Sequence, residues 1–132
     1  MADNLTDLAE ARALNWLTGN STTAPTMPYS VRLMTVIGSD SAAGTEVVNA
    51  GGSTYSAQTV AFPAASGSGG PVGNSSDVVF LNMPACTVVA VELWDAAGTP
   101  FRWWWGPVAA NKTFNLGDTA RFVAGQLTLT MQ

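Results

Sequence analysis

The chain changes its hydrophobic period once, near residue 28. Before that point Leu5, Leu8 or Ala9, Arg12 or Ala13, and Trp16 with Leu17 recur at three- and four-residue intervals. That spacing predicts an amphipathic helix over residues 3–18 with a single apolar stripe, which must lie on something. Its resting place is either its own domain or a neighbouring subunit. Asp3 or Asn4 is placed to cap the helix, Asp7 favours its positive end, and Gly19-Asn20 stop it. Residues 20–28 are polar and stiffened by Pro25 and Pro28, and they read as a linker between the helical segment (1–19) and everything after it.

From Tyr29 onward the period is two. Tyr29, Val31, Leu33, Thr35 and Ile37 alternate with Ser30, Arg32, Met34 and Val36, a strand with one firmly apolar face. Further strands are expected at 45–48, 55–62, 78–81, 87–94, 100–105, 119–123 and 127–131. Turns rich in Gly, Asp and Asn separate them, and the Gly/Ser-rich stretch 64–74 reads as a flexible loop. About seven or eight short strands with such regular turn signals predict an all-β fold. We expect an antiparallel β-sandwich over residues 29–132, decorated by one N-terminal helix.

Two strands carry unusual residues. The run Thr87 to Trp94 is apolar on both faces, which places it centrally in a sheet, yet it contains Glu92. A carboxylate there needs a partner. Arg102, returned antiparallel by the turn Asp95 to Gly98, is the expected one, in a structural ion pair. Strict alternation in the next strand points Phe101, Trp103 and Trp105 one way and Arg102 and Trp104 the other. One face fills the core. The opposite face sets a large flat Trp104 beside a cation, a patch that would lie under the helix or anchor a subunit contact. The interface candidates are therefore Trp104 and Arg102 on this strand, with Leu5, Leu8 and Trp16 on the helix.

Composition narrows the chemistry. The chain has 132 residues, enough for one domain, and 47% of them are hydrophobic. Only 11% are charged, against about a quarter in an average domain, which implies a Ser/Thr/Asn/Gly surface partly covered by partner subunits. The formal net charge is −4 and the five basic residues are scattered singly, so no concentrated basic face exists for nucleic acid. No run approaches the roughly 20 apolar residues of a membrane span, and acids stand at the N-terminus where a signal peptide would carry Lys or Arg. The expected place of synthesis is a cytoplasm, and no membrane is expected as partner.

With no histidine, the commonest general base and metal ligand is missing. The single cysteine, Cys86, can form neither an internal disulfide nor a thiolate cluster, and it reads as a small buried hydrophobe. A serine hydrolase would have to use Lys112 as its base, and no Gly-x-Ser-x-Gly elbow occurs. The loop Gly67 to Gly73 lacks the spacing and the following helix of a phosphate-binding turn. Nothing selects a catalytic pair among Asp77, Glu92, Asp95 and Asp118. We expect no enzyme and no cofactor.

Several segments, taken in order, carry a family resemblance. They are the helix with Asn15-Trp16-Leu17, the strand Tyr29 to Ile37, Gly44-Thr45-Glu46-Val47, and Gly51-Gly52-Ser53-Thr54-Tyr55-Ser56-Ala57-Gln58. Asn74-Ser75-Ser76-Asp77-Val78-Val79-Phe80, Met83-Pro84-Ala85 and Val91-Glu92-Leu93-Trp94-Asp95-Ala96 continue the pattern. It ends on Lys112-Thr113, Gly117-Asp118-Thr119-Ala120-Arg121-Phe122 and Ala124-Gly125. Together these resemble small virion proteins of tailed siphophages, labelled tail-fibre or minor structural proteins. The chain departs from that pattern at Ser56, where Arg is usual, and at the bulky Trp run. The resemblance implies a non-enzymatic bacteriophage structural protein on the virion surface. Its leading form is a capsid decoration or minor head protein; the alternative is a tail-fibre or appendage module that binds a host receptor or carbohydrate. The implied partners are phage capsid or tail proteins and further copies of the chain, commonly three.

Overall fold

The computed structural model describes residues 4–21 and 23–131. Among them ten strands and one helix follow in order: β1 (Asn4–Leu5), α1 (Asp7–Leu17), β2 (Tyr29–Val36), β3 (Thr45–Glu46), β4 (Gln58–Val60) and β5 (Val72–Gly73). β6 (Val78–Phe80), β7 (Cys86–Trp94), β8 (Arg102–Phe114), β9 (Ala120–Phe122) and β10 (Thr128–Leu129) complete the chain. All pairings are antiparallel. The main sheet runs β1-β8-β7-β2-β3, with β4 also on β2, so the doubly apolar strand β7 lies at its centre as its pattern requires.

Two small strand pairs, β6-β9 and β10-β5, make the second layer. Phe80 meets Phe122 of the same small pair edge-on at 6.4 Å. It also stacks at 5.8 Å on Tyr55, whose hydroxyl accepts the Leu33 N–H of the main sheet at 2.9 Å and so links the layers. Val31, Leu33, Val91 and Leu93 of the main sheet, with Phe80, Met83 and Leu127 opposite, form the buried centre of the all-β sandwich.

Local details depart from the alternating pattern. β8 continues through Gly106-Pro107 to Phe114 instead of turning there, because the strand absorbs Pro107 at a bulge. Pro107 lies opposite Ala90 and Lys112 opposite Val88, five steps along β8 against two along β7. Within the stretch 64–74, expected to be a loop, Val72–Gly73 pairs with β10.

The helix starts later than its spacing predicts. Its cap is Thr6, whose hydroxyl accepts the Ala9 N–H at 3.1 Å and donates to the Arg102 carbonyl at 2.9 Å. Asn4 is not the cap, because its backbone is taken up in β1 opposite Trp105; Asp3 lies outside the described residues. The face of α1 that meets the body is small: Ala9 is fully buried, Arg12 and Ala13 are half-buried, and the Arg12 guanidinium sits 3.7 Å above the Phe101 ring. The large members of the expected stripe, Leu8, Trp16 and Leu17, are exposed.

Candidate functional site

The chemistry-bearing residues gather in two places, the turn end of the β7–β8 pair and the exposed sides of α1. In the first, Glu92 is 1% exposed, and the expected ion pair forms, Arg102 Nη1 to Glu92 Oε1 at 3.1 Å. The same oxygen accepts the Gly44 N–H at 2.8 Å, and Oε2 accepts Trp94 Nε1 at 3.0 Å. Arg102 Nη2 donates to the carbonyls of Ser39 at 2.6 Å and Asp40 at 3.2 Å. The loop of residues 37–44 thus closes over the pair and supplies what a buried charge requires. Gly38 permits that closure: a Cβ there would meet the Ala42 carbonyl oxygen at 2.6 Å and Glu92 Oε1 at 2.8 Å.

A bulge changes the aromatic run. Trp94 faces Arg102 while Leu93 faces Trp104, so Trp103 is the extra residue and the parity of the strand shifts there. Arg102 and Trp105 consequently share a face, and Trp105 Nε1 donates to Asp40 Oδ1 at 2.9 Å. Trp104 turns to the opposite face beside Leu93 and meets Tyr29 edge-on at 6.0 Å. The expectation that Arg102 and Trp104 lie together is therefore corrected. Trp103 is buried, and its Nε1 donates to Asp95 Oδ2 at 3.1 Å.

Asp95 organises the turn between the two strands. Burial raises its pKa, but N–H groups of Phe101, Trp103, Ala97 and Thr26 bind the carboxylate and bring the net shift below the usual range. Cys86 is half-buried, and burial pushes its thiol pKa up. Among the described residues no three His, Cys, Asp or Glu side chains group as metal ligands, and no helix is long and apolar enough to cross a membrane.

The five interface candidates are distributed unevenly. Arg102 is buried in its ion pair, Trp104 is half-buried on the core face, and Leu5 pairs opposite Trp104 and packs on the core. Leu8 projects outward, 68% exposed, and Trp16, 62% exposed, edges a groove with Arg12, Ala13, Pro25 and Trp103. The structure adds Leu14, 62% exposed, which a search for a core-facing stripe passes over. Its signal was present at three-residue spacing from Leu17, on the side away from Ala9.

An antiparallel sandwich whose charged pair is enclosed and whose large apolar side chains stand on an outer helix defines a β-rich module with a structural interior. The chain belongs to the podophage GP4 fiber I protein gp80 family, whose model matches residues 4–130. None of the curated proteins matches the chain. The family name makes this a phage fibre-type protein. It fits the tail-fibre alternative better than capsid decoration, and it does not carry the siphophage affiliation that the resemblance implied.

Proposed function

We propose that the chain is a non-enzymatic structural subunit of a bacteriophage tail fibre, that it self-assembles, and that it docks on other virion proteins. The observation that carries this reading is the match to a phage fibre family along residues 4–130. Two physical features support it. The buried Glu92 has both oxygens committed to hydrogen bonds within the protomer, which suits a structural role better than proton transfer. Leu8, Leu14, Trp16 and Leu17 are each more than half exposed on a single short helix, which is costly for a lone protomer and useful to an assembling one.

Self-assembly also suits a fibre, because identical subunits multiply weak contacts to the rest of the particle. Gold-labelled antibody on intact virions tests the placement. Label on the fibres or tail is the expected result; label over the shell would return the protein to capsid decoration. Label confined to fibre tips would add host recognition to the role, with Trp16 as its exposed indole.

A further inference from the structure

The bulge in β8 has a counterpart on its other side. Where residues 108–111 leave the ladder with β7, a cleft of about 490 Å³ opens between β7–β8 and β9. Its floor is apolar, made by Val88, Phe114, Ala120 and Phe122, and its mouth carries Lys112 and Arg121. Arg121 shares its charge with Asp77, whereas Lys112 makes no ion pair among the described residues.

Helix α1 carries the complementary surface. Asp7, Glu10, Ala11, Leu14 and Leu17 fall at i, i+3, i+4, i+7 and i+10 and form one exposed stripe, with Asp7, Ala11 and Leu14 on the side away from Ala9 and Glu10 and Leu17 on its flank. The stripe is acidic in its first turn and leucine-rich in its last. An apolar cleft with a cationic mouth is a receptor for such a helix face.

The helix cannot reach the cleft of its own protomer. Its inner side is fixed on Phe101 and Trp103 at the start of β8, whereas the cleft lies at the far end of that strand. Measured along β7, Leu93 opposite Trp104 and the cleft residue Val88 opposite Lys112 are five residues apart, about 17 Å at roughly 3.4 Å per residue.

We infer that the outward stripe of α1, with Glu10 toward Lys112 and Leu14 and Leu17 toward the apolar floor, docks in the β7–β8/β9 cleft of a second copy of this chain. Each copy then gives one helix and receives one, a head-to-tail contact that closes into a ring when its rotation allows. The inference rests on the self-assembly reading above and specifies its contact.

Mixed cross-linking tests it directly. One chain carries Leu14→Cys and the other Ala110→Cys, a cleft residue, both with Cys86→Ser. After mild oxidation a covalent dimer is expected in the mixture and in neither chain alone. A dimer from the Leu14→Cys chain alone would mean helix-to-helix pairing and would overturn the inference. So would an absent cross-link in a mixture that sedimentation shows to be oligomeric, but self-assembly would then stand with its contact elsewhere.

Charge reversal provides the second arm. Glu10→Lys and Lys112→Glu should each weaken association on the order of tenfold, and the double variant should restore it. Failure of restoration would overturn the pairing. A monomeric wild-type chain whose Lys112→Glu variant is lost from virions would assign the cleft to another virion protein; the fibre placement, read by gold labelling, would survive.

Discussion

The turn end of the β7–β8 pair and the exposed sides of α1 invert the usual distribution of side chains. At the turn end a carboxylate and a guanidinium are enclosed, while on the helix three leucines and a tryptophan are more than half exposed. The inversion has one logic in both places. The enclosed charges have every partner they need within one protomer, supplied by the loop of residues 37–44, so they stabilise a unique arrangement of the sheet. The exposed apolar groups have no such cover within the protomer, which is what the proposed assembly would supply. Self-sufficiency and incompleteness thus separate the part that folds from the part proposed to assemble.

Breaking the enclosed pair should give the largest effect. Arg102→Ala leaves Glu92 uncompensated and should lower stability by about 3–5 kcal/mol in urea unfolding. A Glu92→Leu/Arg102→Met double variant should recover most of that loss, since the penalty is an unpaired charge and not a missing contact. If the double variant is no better than Arg102→Ala, the loop's hydrogen bonds matter more than the charge. Gly38→Ala attacks the same network through its cover and should cost about 1–3 kcal/mol through overpacking.

Thr6→Ala lies between the two regions, because its hydroxyl caps α1 and also bonds the Arg102 carbonyl. A loss of about 1 kcal/mol is expected, measured as a lower denaturation midpoint. Acid should act at the turn beside the pair. The folded pKa of Asp95 is depressed, so its contribution is complete above the unfolded carboxylate value of about 3.9 and is lost as pH falls through the folded one. Stability measured downward from pH 5 should decline, and Asp95→Asn should flatten that decline from a lower starting point.

On the helix the smallest stability effect is expected. Leu14→Ser should change protomer stability by less than about 0.5 kcal/mol while reducing assembly in sedimentation experiments. A large loss of stability instead would show that Leu14 is covered within the protomer and would erase the contrast.

Legibility in the sequence followed the range of the forces involved. The alternation from Tyr29 onward and the doubly apolar β7 were readable because burial imposes them residue by residue. The Glu92–Arg102 pair was readable because a carboxylate in a central strand needs a partner, and the turn at Asp95 to Gly98 brings one alongside. The helix cap was misread because Thr6, Asn4 and Asp3 are all competent caps, and the choice fell to β1 pairing with β8, a contact about a hundred residues away along the chain. The family was legible at the level of a phage structural protein, while the lean toward the tail-fibre alternative came from the family name.

The sequence by itself determined the class of fold, the centrality of β7 and the need to neutralise Glu92, since period and desolvation act locally. Only the tertiary structure decided which face each tryptophan takes and which side of α1 touches the body. One extra residue at Trp103 reverses every side chain after it in the strand, and whether a strand absorbs such a residue depends on its neighbours. Likewise the close approach of α1 to β8 admits Ala9 and leaves the leucines outside, a choice made by the space beneath the helix.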